Sequence, residues 1–163
     1  MLQTNRCELR VISGTDYVHM RKLYMNEKVR EFLGGIVNED GVAARYKLMM
    51  ESPNIHLHWS VYTKDGNEFI GLVCFDTYHD GVKMEIGYQF LPEYWGQGYA
   101  KEVISELVHH GLVTLHYPII VAETQSANIA SCRLLERIGM TLIHTLERFG
   151  EKQSVFAIQK ESL

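Results

Sequence analysis

The sequence predicts an α+β domain: a mixed, mostly antiparallel sheet of six to seven strands flanked by helices, in the order β-α-α-β-β-β-α-β-α-β-β. Three observations carry that expectation. Asp65-Gly66 and Asp80-Gly81 separate runs of alternating apolar and polar residues, the pattern of hairpin strands. Val103, Ile104, Leu107, Val108 and Leu112 fall on one face of a helix that begins near Tyr99. Between these two regions, a stretch with two glycines joins a strand directly to that helix.

The elements follow in order. Cys7 to Ile12 alternates like a strand. Ser13-Gly14-Thr15-Asp16 reads as a capping box that opens a helix through about Tyr24. Asn38 caps a second helix with Val42, Tyr46, Met49 and Met50 as its apolar stripe, ended by Pro53-Asn54. His56 to Tyr62, Glu68 to Phe75 and Lys83 to Leu91 form a meander. After the helix from Tyr99 to Leu112, Pro118 precedes a short strand, Ile119 to Ala122. A helix from Asn128 to Ile138 stops at Gly139, a good residue just past a helix end. Met140 to Phe149 and Lys152 to Gln159 close as a hairpin across Gly150-Glu151.

Composition narrows the class. A chain of 163 residues, 46% hydrophobic and 22% charged, suits one soluble domain spanning 1–163. No apolar run approaches the roughly 20 residues of a membrane span. The N-terminal ten residues lack the apolar core of a secretory signal, so a cytoplasmic location is expected. A net charge of −4 argues against a nucleic-acid surface. Cys7, Cys74 and Cys132 form no C-x-x-C spacing and read as small buried hydrophobes. His56, His58, His109 and His110 have no carboxylate or cysteine at ligand spacing, so no metal is expected.

The junction at residues 90–100 carries the chemistry. The first N–H groups of a helix have no partner within it, and the helix dipole makes that end positive. Gly96 and Gly98 there let the backbone turn sharply and approach another molecule closely. A phosphate or pyrophosphate fits such a cradle without a basic side chain. The arrangement is not a dinucleotide fingerprint: Lys101 stands where a third glycine belongs, and hairpins precede the loop. Nor is it a P-loop, since no Gly-Lys-Ser/Thr follows.

Five pieces in a fixed order resemble the GNAT-type N-acetyltransferases, within the subgroup that includes the bacterial ribosomal-protein-alanine acetyltransferases. They are Glu8-Leu9-Arg10, Phe69-Ile70-Gly71, Glu85-Ile86-Gly87-Tyr88, Tyr94 to Ala100, and Asn128-x-x-Ser131 followed by Leu134 to Met140. The resemblance covers nearly the whole chain. It implies acetyl-CoA as co-substrate and a sheet splayed between the fourth (83–91) and fifth (119–122) strands. It assigns pyrophosphate binding to Trp95, Gly96, Gln97, Gly98, Tyr99, Ala100 and Lys101. Trp95 stands where the family motif begins with Gln or Arg. Backbone contacts to the pantetheine arm are implied near Phe90 and Leu91, with Asn128 reaching the same arm. The reaction implied is direct attack of a neutral amine on the thioester carbonyl. Glu123 is the first choice of general base and Glu85 the second. A backbone N–H near Phe90 is the implied oxyanion donor. The tyrosine that many relatives use to protonate the thiolate is Leu135 here, leaving Ser131 and Tyr99 as unranked substitutes. Tyr24, Phe32 and Leu33 lie in the segment that lines the acceptor pocket of the family. The partner expected is an amine, either a small molecule or a protein N-terminus, and the resemblance leaves room for a homodimer. The rival expectation is a GNAT fold that binds acyl-CoA without turnover.

Overall fold

A computed structural model describes residues Met1–Ser162. The strands are β1 Leu2–Gln3, β2 Cys7–Val11, β3 His58–Thr63, β4 Phe69–Thr77, β5 Met84–Phe90, β6 Ile119–Gln125, β7 Thr141–Arg148 and β8 Glu151–Gln159. The helices are α1 Tyr17–Tyr24, α2 Glu27–Arg30, α3 Glu39–Met50, α4 Tyr99–His109 and α5 Ile129–Arg137. The hydrogen-bonded strand order is β1-β2-β3-β4-β5-β6-β8-β7. The β5–β6 pair is parallel, whereas β1–β2, β2–β3, β3–β4, β6–β8 and β7–β8 are antiparallel. The sheet therefore has 8 strands rather than six or seven. The added strand, β1, pairs only Leu2 with Leu9 and Gln3 with Glu8, and two residues are too few to show a period. Among the described residues no helix is long and apolar enough to cross a membrane.

The chain divides into two compact units. The first comprises Met1–Cys74 and Tyr88–Tyr99. Its β2–β3–β4 ladder pairs Cys7 with Thr63, Val11 with Trp59, and His58 with Cys74. Leu23, Val29, Phe69 and Leu91 form a buried cluster, with Tyr24, Tyr62, Leu72 and Tyr94 packed against it. Each such side chain removed from water contributes about 1.5–3 kcal/mol.

Helix α1 starts later than the capping box implies. Asp16 accepts from the Ser13 backbone N–H at 2.8 Å and from the Ser13 hydroxyl at 3.0 Å. It also accepts from Ser60 at 2.8 Å and Tyr62 at 3.0 Å. Burial alone would raise the Asp16 pKa, but these donors hold it below the usual carboxylate value. The Ser13 hydroxyl thus turns to a tertiary hub instead of capping the helix. Asn26 caps α2 by accepting from Val29 N–H at 3.1 Å. That helix is only 4 residues long and leaves no periodic signal. Asn38 caps α3 as expected, accepting from Gly41 N–H at 2.9 Å.

The second unit comprises Phe75–Gly87 and the chain from Ala100 onward. Val103, Ile104, Leu107, Leu112, Ile120 and Leu135 are fully buried within it. Tyr78, Val121, Val155 and Ala157 form a further buried cluster. Helix α4 widens at its end into a π turn over His110–Thr114, where Leu115 N–H reaches His110 C=O at 3.0 Å. The β7–β8 turn is Phe149-Gly150, one residue earlier than the sequence suggests. Phe149 has φ +57° and Gly150 φ +77°, the conformation that a two-residue hairpin loop requires. The cysteines are free; Cys7 is buried, but Cys74 and Cys132 are half-buried.

Candidate active site

The loop expected to cradle a phosphate follows β5 in the first unit. Leu91 leads into a short turn at Pro92–Tyr94, then Trp95 to Gly98, and α4 starts at Tyr99. Gly96 has φ +71° and Gly98 φ +81°, left-handed values that cost a side-chain-bearing residue roughly 1–2 kcal/mol each. Trp95 to Gly98 are exposed. The loop is braced from behind by side chains. The Trp95 indole N–H donates to Phe90 C=O at 2.8 Å, and Gln97 Nε2 donates to Glu93 C=O at 2.7 Å. Arg6 Nη1 donates to Gln97 C=O at 3.0 Å, and its guanidinium lies 4.1 Å over the Tyr99 ring. In a trans peptide the N–H points opposite the C=O. The Gly98 N–H therefore points away from the Arg6 guanidinium.

Two groups near this loop are more engaged than the sequence implies. Leu91 N–H donates to Ile70 C=O at 2.9 Å, and Phe90 C=O holds the Trp95 indole. These backbone groups are therefore already bonded, and Leu91 N–H is not the free oxyanion donor sought near Phe90. Both side chains are buried. Arg6 is a residue the sequence reading missed; it lies 91 positions from Gln97, and no local pattern links them.

The two candidate carboxylates belong to the second unit, where they meet. The parallel ladder pairs Met84 with Ile120 and Glu85 with Val121, and stops there. Glu123 lies two residues further along β6, and its side chain is only 6% exposed. It accepts from Tyr78 Oη at 2.8 Å, and its Oε2 lies 3.2 Å from His79 Nε2 and 3.4 Å from Arg148 Nη1. Burial and the Glu123 bond push the Tyr78 phenol well above its usual range. Glu85 differs sharply. Burial, then the neighbouring charge of Glu123, push its pKa from 4.5 up to about 7, against the opposing pull of the Glu123 backbone N–H and Arg148. The two carboxylates thus sit in different environments, one tied to three donors and the other pushed towards neutrality. The Tyr78-His79 pair and Arg148 lie in two distant parts of the sequence, 45 and 25 positions from Glu123, so only the fold shows them together.

The N-cap of α5 is Asn128, whose Oδ1 accepts from Ser131 N–H at 3.2 Å. Leu135, at the position where a tyrosine was sought, is fully buried. In the first unit, Tyr24 ends α1, and Arg30 Nε donates to Gly35 C=O at 2.9 Å while Nη2 holds Leu33 C=O. Val37 N–H returns to Tyr24 C=O at 2.8 Å. The loop that carries Phe32 and Leu33 is thus wound around one buried guanidinium. Phe32 is half-buried and Leu33 is exposed.

The model of the acetyltransferase (GNAT) domain matches residues 6–141. The chain belongs to the GNAT acetyltransferase family. Among relatives, this GNAT chain is 29% identical over 145 residues to the uncharacterized N-acetyltransferase YoaA of Bacillus subtilis, covering 85% of this chain and 81% of that protein. An acetyltransferase of the GNAT family from Bacillus anthracis has the same fold, with a TM-score of 0.85 at 22% identity over 98% of both chains. So does the spermidine N-acetyltransferase from Vibrio cholerae, solved in complex with CoA and spermine. Its TM-score is 0.81 at 17% identity, over 96% of this chain and 97% of that one. The cradle of this GNAT domain lacks the Gln or Arg that opens the family motif, and Trp95 occupies that place with its indole turned back onto β5.

Proposed function

We propose that this GNAT acetyltransferase transfers the acetyl group of acetyl-CoA to a primary amine by direct attack, with Glu85 as the proton acceptor. The observation that carries this reading is the Glu85–Glu123 pair, because a base with a pKa of about 7 is half ionised at neutral pH. Acetyl-CoA supplies the activated thioester. The free amides from Gly98 to Lys101 hold its pyrophosphate, with Trp95, Gly96 and Gln97 shaping the turn. Ala100 adds only a methyl group at the start of α4, and Asn128 serves the pantetheine arm while capping α5. The amine nitrogen bonds to the carbonyl carbon, the carbon–sulfur bond breaks, Glu85 takes the amine proton, and the CoA thiolate leaves. Ser131, on the first turn of α5, is the donor to that thiolate. Glu123 is tied to Tyr78, His79 and Arg148, and its proximity adds to burial in raising the basicity of Glu85.

This reverses the order in which the sequence ranked the two carboxylates. The motif resemblance to ribosomal-protein-alanine acetyltransferases supports an α-amine, which at a pKa of about 7.7–8.0 needs less help than a lysine. The buried Leu135 favours a second reading, an acyl-CoA-binding module without turnover.

The test is thiol release from acetyl-CoA with a panel of amines and N-terminal peptides, across pH 5.5 to 9. Acetylated product is expected, with kcat/KM rising to a plateau above about pH 7, and Glu85→Gln should lose most of it. CoA binding with no acetylated product from any amine would favour the second reading. A pH profile unchanged in Glu85→Gln would remove Glu85 from the role.

A further inference from the structure

Tyr24 carries a cation on its ring from each of two elements. The Arg30 guanidinium lies 5.1 Å from the ring centroid and that of Arg45, on α3, lies 5.6 Å from it. Among the described residues neither forms an ion pair with a carboxylate. Arg30 is buried, its contacts are the carbonyls of Leu33 and Gly35, and the charged neighbour that bears on it is Arg45, of like sign. A desolvated cation with a second cation beside it and no counter-charge is costly. Gln89, on β5 in the same unit, adds a second unmet need. Its amide engages the Tyr24 phenol, while its Oε1 is buried with no hydrogen-bond partner. Buried polar atoms are rarely left this way without a reason.

The cluster therefore lacks one anion and one donor. A polyamine brings only donors and would add positive charge to two arginines. An amine that also bears a carboxylate brings both missing groups. We propose that the acceptor is a small amino carboxylate, whose carboxylate lies against Arg30 and Arg45 beside the Tyr24 ring and whose N–H is accepted by Gln89 Oε1. This inference rests on the acetyl-transfer reading above and names its substrate class.

The test is calorimetric titration of the CoA-saturated protein with the standard amino acids, their carboxamides and spermidine. At least one amino acid should bind about tenfold or more tightly than its own carboxamide, the difference expected for a charge-assisted contact. Arg45→Glu, at an exposed position whose fold is checked by circular dichroism, should reverse the preference towards spermidine. Gln89→Leu should weaken acid and amide alike and leave their ratio unchanged. Equal binding of acid and amide, binding of no amino acid, or an unchanged ranking in Arg45→Glu would overturn the proposal. The two readings separate in the turnover arm. If spermidine is acetylated while no amino carboxylate binds, acetyl transfer stands and this inference falls. If amino carboxylates bind with the expected preference over their carboxamides but no amine is ever acetylated, acetyl transfer falls and the acceptor role falls with it.

Discussion

Replacing Glu85 with Gln should make the protein more stable at pH 8 than the natural chain, although it removes a proposed catalytic group. Glu85 titrates at about 7 in the folded protein against 4.5 in the unfolded chain. Between those values the folded state holds a proton that the unfolded state has released, so stability falls as pH rises. The full difference corresponds to an upper bound of about 3 kcal/mol, at 1.36 kcal/mol for each pH interval of one. Glu85 is only half-buried, and solvent screening reduces this to roughly 1–2 kcal/mol. Glutamine has no such titration. The stability of Glu85→Gln minus that of the natural protein should therefore be smallest near pH 4.5, grow through pH 7 and level off above it. Urea denaturation of both proteins at half-unit steps from pH 4.5 to 9 measures the gap. A gap that stays flat, or one that narrows with rising pH, would refute the argument that Glu85 is held protonated by burial and by Glu123.

Three other substitutions test separate parts of the molecule. Gly98→Glu places a side chain at φ +81° and a carboxylate beside Arg6, which braces the loop, so acetyl-CoA binding by calorimetry should be lost while circular dichroism stays native; unchanged affinity would mean that the pyrophosphate binds elsewhere. Asn128→Ala removes an N-cap and should cost about 1 kcal/mol in denaturant unfolding, with an added rise in KM for acetyl-CoA if Asn128 also meets the pantetheine arm. Leu135→Ala should cost about 2–5 kcal/mol, because Leu135 is fully buried; a loss below 1 kcal/mol would contradict its place in the core.

Local chemistry made much of this fold readable. The hairpin turn at Asp80-Gly81, the apolar face of α4 and the caps Asn38 and Asn128 each act within a few residues, and each lies where the pattern puts it. The glycines of the cradle were readable for the same reason, since positive φ is a demand of the local backbone. What escaped depends on long-range contact. Arg6 braces a loop from 91 positions away. Tyr78 and Arg148 reach Glu123 from 45 and 25 positions away, and no period announces them. The proposal that Glu85 rather than Glu123 is the base rests on burial and charge proximity, which a linear sequence does not display. Asp16 keeps the Ser13 N–H on one carboxylate oxygen, but its other oxygen takes Ser60 and Tyr62 from a strand some forty residues later, contacts that no local pattern announces.

The Asp16 hub bolts the first turn of α1 to β3 through Ser60 and Tyr62, whereas the segment after α2 is held by Arg30 and by the Val37–Tyr24 backbone bond. Residues 31–37 therefore leave and rejoin the body of the first unit at two fixed points, the Arg30 guanidinium and the Tyr24 carbonyl. A graft of that seven-residue stretch has defined anchors on both sides, and the Asp16 hub holds the start of α1 independently of it.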